Sequence, residues 1–125
     1  MRGMNEYQKI TLLPKDTNSH GTIFGGVIMS YIDLAAAACC HDHFSNAKFT
    51  TVVVRELIFH QPVHVGDLLT LSGEVIAQGT TSVTVRIVAS VQRCKGHEVV
   101  KVTEAELVFV AVDDAGKKTP LEPWG

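Results

Sequence analysis

Asp33 is the one acid inside an apolar segment, and this setting makes it the first candidate for a catalytic residue. The segment from Val27 to Cys40 is otherwise built from Val, Ile, Met, Tyr, Leu, Ala and Cys, with Ser30 as its one other polar residue. A carboxylate among apolar side chains is costly unless a partner compensates it, and such a carboxylate suits general-base work. A hydrogen-bonded or interface acid without a chemical task is the alternative.

Two consecutive glycines, Gly25 and Gly26, precede this segment and mark the predicted start of a helix. The first N–H groups of a helix have no partner within the helix, and the helix dipole makes this end positive. These groups can hold an anion or a polarised carbonyl oxygen, which is the outline of an oxyanion hole. Close packing against the glycines is the alternative reason for their presence.

The spacing between Gly25 and Asp33 decides how the two can cooperate. They are eight residues apart, which places them about 12 Å apart along one helix. They cannot both touch one small reacting group, so a shared site requires Asp33 to meet the helix start of a second subunit across a two-fold axis. Asn18, in the loop before the helix, belongs to the Gly25 end and can hold a carbonyl or orient a water. A simple turn residue is the alternative for Asn18.

The composition is that of an ordinary globular protein. The 125 residues are 46% hydrophobic and 19% charged with a formal net charge of -2, which predicts one compact domain covering residues 1–125. No basic excess is available for binding nucleic acid. The apolar segment is too short to cross a bilayer, and the charged N-terminus does not resemble a signal peptide. Three cysteines cannot all pair within one chain, so we expect reduced thiols and a cytoplasmic protein.

The remaining sequence predicts an α+β fold with the order β-α-β-β-β-β. A helix begins near Gly25, and residues of small or apolar type recur at three- and four-residue spacing, which predicts a helix surrounded by the rest of the fold; these residues are Val27, Ile28, Tyr31, Leu34, Ala35 and Ala38. Alternating or β-branched strands are predicted at 7–13, 50–60, 68–77, 82–93 and 98–112. Together they predict an antiparallel sheet curled around the helix, and a loosely held tail over residues 116–125.

Four motifs in order carry a resemblance to a known family. They are LLPKDTNSHGTIFGGVIMSYID, HQPVHVGD, AQGTTSV and TEAELVFVAVDDAGK. The chain resembles hotdog-fold acyl-CoA thioesterases of the YciA type, in the same broad group as mammalian cytosolic acyl-CoA hydrolases, over nearly its whole length. The resemblance implies a hotdog fold, hydrolysis of acyl-CoA to a free acid and coenzyme A, and no metal or other cofactor. It also implies a homodimer, assembled further as a trimer of dimers.

The resemblance assigns site residues position by position. It implies that the amide of Asn18, the helix start at Gly25 and Gly26, and the acid Asp33 form one site across two subunits, where Asp33 activates water or attacks the thioester. Residues that contact coenzyme A are implied at a turn, Gly79, Thr80, Thr81 and Ser82. Lys117 and Lys118 are further candidates for its phosphates, although a lysine pair in a turn is usually solvated.

Two positions depart from the family pattern. His20 stands where Asn or Leu is expected, and a surface histidine is the simplest interpretation. Arg55 stands where relatives often carry an acid on the second strand. Arg55 can be solvated, can bind a phosphate, or can pair with Glu56 of a neighbouring subunit.

Other kinds of chemistry have weaker support. The run Cys39-Cys40-His41-Asp42-His43 contains zinc-ligand types, but adjacent helical residues point about 100° apart and at most two converge. No Gly-x-Ser-x-Gly elbow is present for a serine hydrolase. A hotdog dehydratase usually combines a histidine with an acid, and the first turns of this helix carry no histidine. A non-catalytic acyl-CoA sensor remains the alternative from another functional class.

Overall fold

The computed structural model describes residues 4–45 and 47–122. Its elements are strand β1 (Asn5–Thr11), a 3-10 turn (Pro14–Asp16), helix α1 (Gly25–His43), and strands β2 (Lys48–Phe59), β3 (Leu68–Gln78), β4 (Ser82–Gln92) and β5 (Val99–Val112). The predicted order of one helix and five strands is therefore confirmed, with boundaries within a few residues of those expected.

The five strands form one antiparallel sheet in the order β1-β3-β4-β5-β2. Along β4 the side chains alternate, so that Val83, Val85 and Ile87 are buried while Thr84 and Arg86 are half-buried. The buried side faces α1, and we call it the inner face of the sheet; the opposite side is the outer face. Period-two alternation thus produces a core between the sheet and one helix.

The helix is covered on one side only, which corrects the expectation that the fold surrounds it. Ile28, Ile32 and Ala35 are fully buried against the sheet, as the apolar spacing requires. Leu34 is 57% exposed and Ala38 is also exposed, although both belong to the regularly spaced small and apolar residues that predict a surrounded helix. A single sheet can bury only one face of a helix, so Leu34 and Ala38 lie on a second apolar face that this chain leaves open.

Strand β2 is an edge strand that is apolar and exposed. Its residues Val52, Val53, Val54, Leu57, Ile58 and Phe59 are 37–52% exposed. One side of β2 pairs with β5, and the other side, which we call the β2 edge, pairs with no strand of the described chain. An exposed apolar edge is a surface for pairing with another strand.

The C-terminal segment is better held than the sequence suggests. Asp113 N–H donates to the Lys117 carbonyl at 2.8 Å, and Thr119 N–H donates to the Ala111 carbonyl at 3.0 Å. Leu121 N–H donates to the Thr80 carbonyl at 2.9 Å. The prediction of a loosely held tail is therefore wrong for residues 116–122, because backbone hydrogen bonds tie them to the sheet. Residues 123–125 lie outside the described part of the chain.

Candidate active site

Asp33 is half-buried and is held by a hydrogen bond from strand β2. Thr51 Oγ1 donates to Asp33 Oδ1 at 2.9 Å, and this is the one hydrogen bond to the Asp33 side chain within residues 4–45 and 47–122. The second carboxylate oxygen, Oδ2, is therefore left to act on another group. Thr51 was not identified from the sequence, because only the strand register shows that Thr51 rather than Thr50 faces the helix.

The start of α1 leaves its first N–H groups open. Phe24 is the N-cap and provides no side-chain cap, and its carbonyl accepts from Val27 N–H at 3.0 Å and Ile28 N–H at 3.3 Å. Gly25 and Gly26 are exposed, and their N–H groups have no acceptor in the described chain. Because these donors are aligned with the positive end of the helix dipole, they can bind a carbonyl oxygen that gains negative charge.

Close approach to this helix start is possible because both residues are glycines. A methyl group on Gly25 would contact the Phe59 ring at 3.4 Å, and one on Gly26 would meet no atom within 4 Å. The Phe59 ring therefore forms one wall beside Gly25, and the space above Gly26 is open to a ligand.

Asn18 shapes the loop before the helix. Its Oδ1 accepts from His20 N–H at 2.9 Å and from Thr22 N–H at 3.2 Å, and its Nδ2 donates to Thr22 Oγ1 at 3.0 Å. The turn-forming alternative for Asn18 is thus realised in the geometry. Since Oδ1 already has two donors, the group that Asn18 still offers is the second N–H on Nδ2.

The residues expected to contact coenzyme A lie together at the other end of the sheet. Gly79 N–H donates to the Ser82 carbonyl at 2.8 Å, which closes the turn between β3 and β4. Ala111 N–H donates to the Thr81 carbonyl at 2.8 Å. Lys117 and Lys118 are exposed and lie in the neighbouring turn, since Lys118 forms a β-bridge with Val112.

Within one chain, the helix start at Gly25 and the residues expected to contact coenzyme A are far apart. Gly25 lies against Phe59 at one end of β2, whereas Lys48 at the other end pairs with Val112 beside the 79–82 turn. Asp33 lies between them, opposite Thr51. One protomer therefore does not bring the helix start, Asp33 and the coenzyme A turn around one point.

The Cys-Cys-His-Asp-His run has separate partners for its side chains. Tyr7 Oη donates to Asp42 Oδ2 at 2.9 Å, His41 packs edge-on against the Phe49 ring, and Cys40 is fully buried. Burial raises the pKa of the Cys40 thiol to about 12. Among the described residues, no three His, Cys, Asp or Glu side chains are placed to hold a metal ion.

A family model described as the thioesterase superfamily matches residues 20–95, which is more than half of the chain. The chain belongs to the thioesterase superfamily. The acyl-CoA thioester hydrolase YciA of Salmonella typhimurium is 35% identical over 116 residues, covering 90% of this chain and 86% of the relative. YciA of Escherichia coli strain K12 is 36% identical over 112 residues, covering 87% and 84%. The resemblance to YciA-type enzymes is therefore confirmed.

Solved structures of this superfamily confirm the hotdog fold. A hexameric thioesterase from Yersinia pestis superposes with a TM-score of 0.90 at 32% identity, covering 98% of this chain and 99% of that chain. A hexameric hotdog-fold thioesterase from Campylobacter jejuni gives a TM-score of 0.87 at 34% identity, covering 92% and 88%. An acyl-CoA hydrolase from Staphylococcus aureus in complex with butyryl coenzyme A gives a TM-score of 0.83 at 31% identity, covering 91% of this chain and 69% of that chain.

In the described part of this chain, no helix has the length and apolar character needed to span a bilayer.

Proposed function

We propose that this thioesterase-superfamily chain hydrolyses acyl-CoA thioesters to a free carboxylic acid and coenzyme A. The observation that carries the proposal is the half-buried Asp33 carboxylate, fixed through Oδ1 by Thr51 and with Oδ2 left available. Named relatives with this fold are acyl-CoA thioester hydrolases, and one binds butyryl coenzyme A. No metal or redox cofactor is needed for the steps given below.

The proposed site is formed by two subunits. Asp33 of one subunit meets the loop and helix start of the other, so that Asn18, Gly25 and Gly26 lie across a two-fold axis from it. This arrangement is supported by the open apolar face at Leu34 and by the exposed β2 edge, since both can be covered by a second copy. The hexameric relatives support a further assembly as a trimer of dimers.

In the proposed reaction, a water molecule attacks the thioester carbonyl carbon while Asp33 accepts its proton. The carbonyl oxygen gains negative charge in the tetrahedral intermediate and is held by the N–H groups of Gly25 and Gly26. Collapse of the intermediate breaks the carbon–sulfur bond. Asp33 returns the proton to the sulfur, so that coenzyme A leaves as a thiol and the acyl group leaves as a free acid.

Asn18 fits this reaction as a hydrogen-bond donor. Because its Oδ1 already accepts from two backbone N–H groups, its free N–H on Nδ2 can donate to the thioester carbonyl or to the oxygen of the attacking water. Direct attack by Asp33, which forms a mixed anhydride, is the alternative route, and trapping with hydroxylamine distinguishes it. We further propose that residues 79–82 and the lysines at 117 and 118 hold coenzyme A. Their position in two neighbouring turns of the subunit that supplies Asp33 supports this role.

The test is steady-state thiol release from a series of acyl-CoA esters by the wild type and by Asp33→Asn. Replacement of a general base lowers the rate about 10²- to 10⁴-fold, so we expect kcat to fall by at least about 100-fold. The variant must keep the oligomeric state of the wild type. Full activity of Asp33→Asn would exclude Asp33 as the catalytic residue, and binding of coenzyme A without any turnover in the wild type would favour the sensor.

Subunit complementation tests the composite site directly. Asp33→Ala and Gly25→Pro, each inactive alone, form a mixed dimer with one intact site and one doubly defective site. Random mixing makes half of the dimers mixed, so we expect about one quarter of the wild-type activity. If each site instead lay within one chain, mixing would restore no activity.

Cytoplasmic residence and the single domain stay predictions.

A further inference from the structure

Arg55 and Glu56 are adjacent opposite charges in the middle of the part of β2 from Val52 to Phe59, which is otherwise apolar. We propose that Arg55 pairs with Glu56 of a second copy, and Glu56 with Arg55 of that copy, so that two reciprocal ion pairs fix the register of the two β2 edges. This inference rests on the two-subunit site of the proposed function. The two ion pairs select the partner and align the two half-sites.

A bulge in β2 places both charges on the outer face. The pairing of β2 with β5 shifts register between Arg55 and Ile58, and Glu56 has φ 53, a left-handed conformation that non-glycine residues rarely adopt. Arg55 points to the outer face, where its Nε is 3.9 Å from Glu106 Oε2. Glu56 lines a small depression on the same face with Arg86, Glu104 and Glu106. Two consecutive residues therefore share one face, which a regular strand does not allow.

Neither charge is well compensated within its own chain. The Arg55 side chain is 54% exposed, and its contact with Glu106 is at the outer limit of an ion pair. Glu56 is exposed and makes no ion pair or side-chain hydrogen bond with any described residue. In contrast, the neighbouring Glu104 is bound by Arg86, His60 and Lys101 at 2.7–2.8 Å. Arg55 and Glu56 are thus the charges left over for a partner.

The proposed two-fold axis passes beside these residues. Gly25 lies against Phe59, and Asp33 is bonded to Thr51. A two-fold axis that brings Asp33 to Gly25 of the second copy must pass midway between these two places. On β2 the midpoint of Thr51 and Phe59 is Arg55. The axis therefore passes close to residues 55 and 56, and this pair of residues in one copy lies beside the same pair in the other copy.

One register of the two β2 edges pairs opposite charges with each other and apolar residues with apolar residues. If Arg55 lies opposite Glu56 of the second copy, then Val54 lies opposite Leu57 and Val53 opposite Ile58. Both apolar pairs join residues of the same face, as directly opposed residues must. A shift by one residue places Arg55 opposite Arg55 or Glu56 opposite Glu56. A larger shift, such as centring on Val54, places both charges opposite valines.

A mixing experiment tests the ion pairs without interference from effects within one chain. Arg55→Glu carries two acids at these positions, and Glu56→Arg carries two arginines. Each homodimer then has like charges across the axis, whereas the mixed dimer has two attractive pairs. Because each variant brings the same internal changes to either dimer, a preference for mixing reports only on contacts between copies. Lys9→Glu and Glu6→Arg, on the opposite edge strand β1, are the matched control pair.

The dimers are counted by native mass spectrometry, with one copy carrying a mass tag, after dilution below hexamer assembly. We expect the dissociation constant of each variant homodimer to rise about tenfold or more, and the mixed dimer to exceed the random half by a wide margin. The control pair is expected to mix at random. Random mixing of Arg55→Glu with Glu56→Arg would overturn the proposal. If a single variant is too unstable to isolate, co-expression of the two differently tagged chains gives the same count.

Activity provides an independent readout. When Asp33→Ala is combined with Arg55→Glu in one chain and Gly25→Pro with Glu56→Arg in the other, mixed dimers predominate. Recovered activity should then rise from about one quarter to about one half of the wild type. No gain over the uncharged complementation would contradict the ion pairs. Wild-type chain that releases no thiol would instead overturn the proposed function, while the mass count would still decide the ion pairs.

Discussion

Thr51 Oγ1 donates a hydrogen bond to Asp33 Oδ1 at 2.9 Å, and this contact joins the edge strand to the acid of the helix. It fixes one carboxylate oxygen and so directs the other. A hydrogen bond to a charged group contributes about 1.5–3 kcal/mol, which corresponds to about 10- to 100-fold in a rate if the contact matters in the transition state.

We therefore expect Thr51→Val to lower kcat at least about tenfold with little change in KM, because Val keeps the shape and removes the donor. Thr51→Ser, which keeps the hydroxyl, should retain most of the activity. Thr50→Val on the same strand is the matched control, since Thr50 faces away from Asp33. Equal kcat values for Thr51→Val and the wild type would show that the hydroxyl does not position Asp33.

Two substitutions at Gly25 can distinguish the role of its N–H donor from the role of the space that a residue without a side chain leaves. Pro is tolerated in the first turn of a helix, and Phe24 before it has ψ 135, which suits a residue preceding Pro. Gly25→Pro removes the N–H, and loss of one oxyanion donor lowers kcat about 10²- to 10³-fold. Gly25→Ala keeps the N–H and adds a methyl group at ordinary contact distance from Phe59, so it should lose far less. Equal losses in the two variants would mean that space, not the donor, is what the glycine supplies.

The sequence predicted the fold well because the strands alternate and the helix has small residues at regular spacing. The rise per residue separates Gly25 from Asp33, and the two-subunit site inferred from this separation stays a prediction. The sequence did not identify Thr51, since the choice between two adjacent threonines depends on the register with β5. It placed Leu34 in the core because apolar periodicity does not distinguish a face that packs within the chain from one that the chain leaves exposed.

Lys117 and Lys118 are expected to act on the nucleotide part of the substrate only. Both are exposed beside the 79–82 turn, and exposed charges act through screened attraction. The double change to Ala should raise KM for acyl-CoA about three- to tenfold, more at low salt, with kcat unchanged. KM for the corresponding acyl-N-acetylcysteamine, which lacks the phosphates, should not change. Lys9→Ala is the control on the opposite edge strand, and an equal rise in KM for both substrates would rule out phosphate binding.

The three cysteines should differ sharply in reactivity. Cys94 is exposed, whereas Cys39 and Cys40 are buried, and burial raises the pKa of both buried thiols. Since the thiolate is the reactive form, a thiol reagent at pH 8 should label one cysteine per native chain and three after denaturation. Cys94→Ser should remove the native signal. Rapid native labelling of that variant would mean that the helix opens readily, or that Cys39 or Cys40 is an activated thiol.

Glu104 should make stability depend on acid pH. Hydrogen bonds from Lys101 and His60 lower the pKa of the Glu104 carboxyl from 4.5 to about 2. Because this pKa is lower in the folded than in the unfolded state, the ion pairs of Glu104 stabilise the fold fully above pH 4.5 and lose this effect as the pH falls towards 2.

Glu104→Gln should therefore lower Tm at pH 7 by about 2–6 °C, as partly exposed ion pairs contribute modestly. The difference in Tm from the wild type should shrink below pH 4.5 and disappear near pH 2. Glu98→Gln, at an exposed position on the loop before β5, is the control for loss of one negative charge. A protonated Glu and a Gln are alike in shape and differ little in hydrogen bonding, so the two proteins should become equally stable once Glu104 is protonated. A Tm difference that stays constant from pH 7 to pH 2 would therefore contradict stabilisation by the charge of Glu104.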